Sequence, residues 1–219
     1  METNINKIPV VLHTMDSYSE FWNPWYYFLK KNVTNHGPIY FLSEEKEPDF
    51  IDDITHIKTG KGEWGYRLLN GLNMIDGSLI FYMQEDFWVT KNIEFTDNWL
   101  SMFKKDKMDC LRISKISKWY DLDNKLDGLY KFKQNSNYTL SHQFSLWNKD
   151  FLMSYVLPDE NPWSNELKGS KRINKNEHNI YLYENEFYTP VVRKGVLQEE
   201  GIKLLEEYKN DTCNVTYYG

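Results

Sequence analysis

Two adjacent carboxylates, Glu85 and Asp86, follow directly on Leu79-Ile80-Phe81-Tyr82-Met83-Gln84, and that placement is the strongest chemical signal in the chain. The apolar run reads as a buried strand. In open α/β sheets, ligands bind beyond the carboxyl ends of the strands. Carboxylates delivered there can hold a hard divalent cation, and such a cation can bridge a diphosphate. The same pair also fits an ordinary polar strand end. Other chemistries are poorly served. His36, His56 and His178 have no partner at metal-ligand spacing, so no zinc site is expected, and His13 reads as a satisfied core or rim residue. Gly60-Lys61-Gly62 lacks the Gly-Lys-Ser/Thr of a phosphate loop.

The elements that must position this pair alternate. Ile8 to His13 is an apolar strand run, followed by the polar turn Thr14 to Tyr18. Ser17 stands three residues before Glu20, a capping-box spacing that opens a helix carrying Phe21, Trp25, Phe28 and Leu29 on one side. Ile39 to Leu42 is a second strand, Ser43 to Asp53 an acidic loop, and Thr55 to Lys58 a short third strand. Trp64, Leu68, Leu72 and Ile75, at spacings of 4, 4 and 3, mark an amphipathic helix leading into the Leu79 strand. A helix with Phe95, Trp99, Leu100 and Phe103 inward follows. Strand and helix alternating from residue 8 to 105 predict an α/β fold with a mixed, mainly parallel sheet. The second half is less regular. It reads as a strand at Cys110 to Ile113, a polar excursion over 115–137, a strand from Tyr138 to Trp147, helices near 149–156 and within 158–172, strands at Ile180 to Tyr183 and Tyr188 to Leu197, and a closing helix from Glu199 to Tyr208. No linker divides the chain, so a single domain is expected, with halves meeting near residue 105.

Length and composition bound the function. At 219 residues the chain suffices to bury roughly 70% of its unfolded surface. Twenty-six Lys+Arg against 32 Asp+Glu give a formal charge of −6, which argues against wrapping nucleic acid or a polybasic membrane role. No stretch is long and apolar enough to span a bilayer. Met1-Glu2-Thr3-Asn4 has neither a basic nor an apolar leader region, so a cytoplasmic location is expected, with Cys110 and Cys213 as reduced thiols. The aromatic content, 8 Trp, 16 Tyr and 12 Phe, suits either a large core or a groove that stacks sugars or bases.

Two patches carry a family resemblance. Trp64-Gly65-Tyr66-Arg67-Leu68-Leu69-Asn70-Gly71-Leu72, followed by Asp76 through Phe87, resembles the nucleotide-sugar glycosyltransferases of the GT-A fold. There a helix precedes a strand that ends in an Asp-x-Asp motif binding a divalent metal and the sugar nucleotide. Ser141-His142-Gln143-Phe144-Ser145-Leu146-Trp147 with Asn161-Pro162-Trp163-Ser164-Asn165-Glu166 resembles the acceptor half of such enzymes. This chain reads Gln84-Glu85-Asp86 where the family has Asp-x-Asp. Aligned on the last acid, Asp86 takes the metal-facing place, Gln84 replaces the first Asp, and Glu85 faces the sugar.

The resemblance implies transfer of a sugar from a nucleoside diphosphate donor to a hydroxyl of a glycan or small acceptor, with Mn²⁺ or Mg²⁺ as cofactor. It places Thr14, Asp16, Ser17, Trp64, Arg67 and Glu85 around the nucleotide sugar, with Glu44 at the same edge. Thr14 and Asp16 equally fit a turn that caps the helix, and Trp64 equally fits the core. Glu166 is the implied base, ahead of Asp159 and Glu160, and a base here implies inversion. Glu166 also fits an exposed acid near a helix start. His142, Gln143 and Trp163 are implied on the acceptor side, and Lys171, Arg172 or Lys194 as cations for the leaving group. Trp119 and Trp147 suit a sugar floor or the core. Two other classes stay open. A non-catalytic carbohydrate-binding protein would use the aromatic rings. A sugar nucleotidyltransferase would be expected to carry a Gly-rich basic loop after the first strand, and Thr14 to Tyr18 has neither Gly nor Lys.

Overall fold

The computed structural model describes residues 7–95, 97–123 and 128–215. Met1 to Asn4 and the side chain of Cys213, named above, lie outside the described residues. In chain order the elements are β1 (Val10–His13), a 3-10 turn (Asp16–Phe21), α1 (Trp22–Asn32), β2 (Val33–Thr34) and β3 (Ile39–Ser43). After a second 3-10 turn (Ile51–Asp53) come β4 (Thr55–Lys58), α2 (Trp64–Asn73), β5 (Leu79–Gln84), β6 (Phe87–Val89), β7 (Ile93–Glu94) and α3 (Asp97–Lys105). The second half supplies β8 (Cys110–Ser114), β9 (Leu129–Lys131), β10 (Ser145–Asn148), α4 (Lys149–Tyr155) and α5 (Pro162–Ile173). It closes with β11 (Ile180–Glu184), β12 (Tyr188–Pro190), β13 (Val192–Arg193), β14 (Val196–Leu197) and α6 (Glu199–Val215).

Among the described residues, the central sheet has eight strands in the order β4-β3-β1-β5-β10-β8-β11-β9. β4, β3, β1 and β5 run parallel. β10 is antiparallel to both β5 and β8, so β8 and its parallel neighbour β11 point the same way as β5. β9 closes the far edge antiparallel to β11. The expected mixed, mostly parallel sheet is therefore what forms. Side-chain alternation sends Val10, Leu12, Phe81 and Met83 to one face, against Trp25 and Phe28 of α1 and Phe103 of α3. Val11, Ile80 and Tyr82 go to the other, against Leu68 and Leu72 of α2 and Leu152 of α4. Strands covered on both faces are apolar without a break, which is why β1 and β5 stand out in the sequence. Trp147 is fully buried in this second layer.

Three expected elements form differently, the first two where side chains claim backbone groups and the third at a turn. Ser17 and Glu20 make no capping box: among the described residues, no side chain caps the 3-10 turn or α1. The Asp16 carboxylate instead accepts the backbone N–H groups of Glu45 and Lys46 at 3.1–3.3 Å, pinning the turn to the loop after β3. The strand expected from Tyr138 shrinks to Ser145–Asn148. Arg112 takes the carbonyls of Tyr138 and Thr139 at 2.7 and 3.0 Å, and Glu166 takes the His142 N–H at 2.8 Å, so this backbone has little left for a ladder. The run from Tyr188 to Leu197 breaks into β12, β13 and β14, the last two joined through Lys194 and Gly195 at φ of 51° and 74°.

Gly65, the second residue of α2, sits where the fold brings two backbones together. Its N–H reaches the Glu160 carbonyl, and that of Tyr66 reaches Pro158, both at 3.0 Å. A Cβ on Gly65 would lie 2.0 Å from the Leu157 carbonyl oxygen, a backbone atom that no rotamer change can move. Gly65→Ala is expected to cost at least ~3 kcal/mol, the upper end of ordinary overpacking, or roughly 6–12 °C in midpoint for a chain of this size. Thermal unfolding checks this, and a shift under ~2 °C would show that the contact is loose.

Candidate active site

β1, β3 and β5 end in register at one edge, with His13 opposite Leu42 and Gln84. Beyond that edge lies a cavity of about 360 Å³. Its walls are the exits of these three strands, the start of α2 and the start of α5. Glu85 and Asp86 face it together. Glu85 is 8% exposed, and burial raises its carboxyl to about 7 against the opposing pull of Thr14 and Arg67. Burial and then the neighbouring Glu85 raise Asp86 well above the usual carboxylate range, and the charge of Glu166 adds to this. Oδ1 of Asp86 has no hydrogen-bond partner among the described residues. A buried acid with an orphaned oxygen is costly unless something arrives to meet it.

The counter-charge is Arg67, 1% exposed on α2. Its Nη1 donates to the Thr14 carbonyl at 2.9 Å and its Nε to the Gly62 carbonyl at 3.3 Å, with Glu44 Oε1 at 3.9 Å. The guanidinium is thus a fixed positive wall tying the β1 exit to the Gly62 loop. Thr14 lies in the same wall and accepts from Trp22 Nε1 at 2.9 Å. Trp64 lines the cavity and is also core, 7% exposed and edge-on to His142 at 4.4 Å. Trp163 stands at the cavity rim, 65% exposed.

Other expected residues fall elsewhere. Asp16 and Ser17 are not among the lining residues, and the Asp16 carboxylate is spent on the turn described above. Arg172 and Glu160 pair with each other at 2.6 and 2.9 Å, which makes Arg172 a structural partner and Glu160, 3% exposed, an anchor. Gln143 lies in a neighbouring cleft, and Trp119 is exposed and lines neither cavity. His142 is 2% exposed beneath the site, its Nε2 2.9 Å from Asn165 Oδ1. Glu166 lies one turn beyond Pro162 and Trp163, on the same helix face. Its Oε1 accepts from Ser141 Oγ and His142 N, both at 2.8 Å.

His13 is the residue that sequence reasoning missed. It lines the cavity at 1% exposure, and neither ring nitrogen has a partner among the described residues. Burial, then Arg67, then His142 hold it neutral, well below its ordinary pKa. A lone histidine at a strand end carries no sequence signal for this. His142 likewise is lowered to about 4, chiefly by burial, with Glu166 pulling the other way. Because its folded pKa lies below the unfolded value of 6.5, its neutral form stabilises the fold fully above pH 6.5, and that contribution is lost as the pH falls toward 4. The loss is of order 3 kcal/mol. Urea midpoints measured from pH 7 to 4 should fall steeply for the native chain and less steeply for His142→Asn. Equal slopes would contradict the buried neutral ring.

The donor set also bears on a metal. Among the described residues no group of three or more His, Cys, Asp or Glu side chains converges. A caged ion such as structural zinc does not fit. Mg²⁺ and Mn²⁺ fit, because such ions take one or two carboxylates and complete their shell with phosphate and water.

An open sheet of this order, with β10 inserted antiparallel beside β5, is a GT-A-like α/β fold. Solved structures of similar shape bear this out. Staphylococcus aureus TarS 1-349 in complex with UDP-GlcNAc superposes with a TM-score of 0.60 at 14% identity, over 92% of this chain and 65% of that one. UDP-glucose pyrophosphorylase complexed with UDP-glucose gives 0.56 at 11% identity, over 93% and 99%. A CMP:2-keto-3-deoxy-manno-octonic acid synthetase complexed with CTP gives 0.56 at 12%, over 94% and 99%. The chain thus spans less than two thirds of the TarS fragment. No protein-family model matches the sequence, and no curated protein is similar to it. Among the described residues, no helix is long and apolar enough to cross a membrane.

Proposed function

We propose that this protein is a glycosyltransferase that moves a sugar from a nucleoside diphosphate sugar to an acceptor hydroxyl. The observation that carries the reading is the Glu85–Asp86 pair at the exit of a central strand, facing a cavity walled by the buried Arg67. The carboxylates sit where a cation and a diphosphate need them. A bound Mn²⁺ or Mg²⁺ would supply Lewis-acid stabilisation of the departing diphosphate, held by Asp86 with Glu85 beside it. Arg67 adds fixed positive charge, and the α5 N-terminus, whose Pro162 and Trp163 line the cavity, adds the positive end of its dipole. Glu166 takes the proton of the attacking hydroxyl, His142 positions Glu166 through its backbone N–H, and Gln143 and Trp163 meet the acceptor. Such a base implies inversion at the sugar carbon. UDP sugars are the favoured donors, since TarS and the pyrophosphorylase were solved with them.

A sugar nucleotidyltransferase is the second reading. It is favoured by the near-complete coverage of the pyrophosphorylase and synthetase chains. Against it, the segment after β1 is a 3-10 turn pinned by Asp16 and Glu44, with no glycine to bring backbone N–H groups onto a triphosphate.

A thermal-shift screen of UDP, GDP, CDP, TDP and their sugars, each with Mn²⁺, Mg²⁺ or chelator, tests the assignment. At a hundredfold excess over the dissociation constant, a true donor adds ~2.7 kcal/mol. The expected result is a metal-dependent rise for one base, UDP first. A response to nucleoside triphosphates with pyrophosphate release would favour the second reading. No response to any nucleotide would leave a carbohydrate-binding protein.

A further inference from the structure

A second and larger cleft, about 700 Å³, continues along the same sheet edge. β5, β8 and β11 point the same way, and the cleft lies beyond their carboxyl ends, where Phe87, Ser114 and Asn185 line it. It abuts the carboxylate cavity where the chain leaves β5, and it reaches the Glu166 anchor through the loop before β10. Phe87 follows Asp86, and Gln143 follows His142, whose N–H holds Glu166.

The chemistry of the cleft differs from that of the cavity. The cavity converges titratable groups, Glu85, Asp86 and His13, beside the Arg67 guanidinium. The cleft converges amides and hydroxyls, with Gln143, Asn185 and Gln198 beside Ser114, Thr90 and Thr189. An amide offers both donors and acceptors, which matches the two-way hydrogen bonding of sugar hydroxyls. Half-buried aromatic faces accompany them: Phe87 and Tyr188 meet edge-on at 5.3 Å, and the Tyr188 hydroxyl lies 3.5 Å from Gln143 Oε1. The charges nearly cancel. Lys91, Lys115 and Arg193 face Glu186 and Glu200, and Lys115 and Glu186 pair at 2.8 Å. The cleft is nearly twice the size of the carboxylate cavity.

We infer that this cleft binds an uncharged oligosaccharide acceptor of more than one sugar unit, its reactive end between Asp86 and Glu166 and its length running along β12 toward α6. As an acceptor site it rests on the transferase reading, and the inference adds the acceptor's class and the surface that reads it. The chain ends at Gln143 next to the base, while Asn185 and Gln198 contact the units farther out.

The probes are immobilised mono- to tetrasaccharides of glucose, galactose, mannose and N-acetylglucosamine, with sulfated and carboxylated counterparts. Binding is read for the native chain, Gln143→Ala, Asn185→Ala and the conservative Tyr188→Phe, each verified as folded by its thermal midpoint. The expected result is an uncharged tri- or tetrasaccharide bound about tenfold more tightly than its monosaccharide. Asn185→Ala and Gln143→Ala should each weaken it about five- to tenfold, the loss of one or two hydrogen bonds. Affinity independent of chain length, binding confined to anionic glycans, binding indifferent to the cleft variants, or no binding overturns the inference. The UDP-induced thermal shift, recorded on the same samples, separates the two readings. A retained shift without glycan binding refutes only the cleft, and a missing shift refutes the donor site.

Discussion

Replacing Asp86 with alanine leaves a folded protein that no longer responds to a nucleoside diphosphate in the presence of metal. The side chain contributes little to the fold. Its Oδ1 is buried without a partner among the described residues, and its charge is opposed by the adjacent Glu85 and by Glu166. Removing it deletes an unsatisfied acceptor and a like-charge contact, so the urea midpoint should be unchanged or higher. The backbone is held separately, since the Asp86 carbonyl accepts the Val191 N–H at 2.8 Å whatever the side chain. Binding should behave in the opposite way. With UDP at a hundredfold excess the native chain gains ~2.7 kcal/mol, roughly 5–10 °C for a chain of this length. The variant should gain none of the metal-dependent part, and isothermal titration with UDP and Mn²⁺ checks the same point directly. A variant that unfolds, or one that keeps the full metal-dependent shift, would move the site away from β5.

That site was legible because the signals for it are local. β5 is buried on both faces, so Leu79 to Met83 reads as a strand from any window, and whatever follows it must emerge at the sheet edge. The 4, 4, 3 spacing of Trp64, Leu68, Leu72 and Ile75 likewise fixed which face of α2 is buried, though Arg67 joins that burial by bonding to carbonyls. What could not be read were choices settled by distant partners. Nothing near Asp16 announces that its carboxylate will bond the loop after β3, about thirty residues on. Arg172 looks like a free cation until Glu160, twelve residues earlier, folds against it. Tyr138 to Phe144 alternates like a strand, yet Arg112 and Glu166 claim its backbone. Arg112 itself is fully buried, with its guanidinium over Phe132 and Tyr120 at 4.7 and 5.3 Å. In each case a polar side chain overrode a local preference, and such long-range pairings leave no periodicity to detect.

Glu166→Gln is the variant that separates binding from turnover. Oε1 of Glu166 accepts from Ser141 Oγ and from the His142 N–H, and a glutamine keeps an oxygen in that place for both donors. The loop from Ser141 to Gln143 should hold its position, and with it the thermal midpoint and the donor-induced shift. Glu166→Ala lacks that oxygen and strands the His142 N–H, a cost of about 1–3 kcal/mol for a buried donor. The glutamine variant therefore isolates one property, the ability to take a proton at the other carboxylate oxygen. Loss of a positioned general base typically costs 10²–10⁴-fold, so sugar transfer in the glutamine variant should fall by about that factor while the KM for the donor stays near its native value. Retained turnover would remove Glu166 as the base. Asp159, exposed in the turn before α5, would then be the next carboxylate to replace, since Glu160 is committed to Arg172 and Asn165.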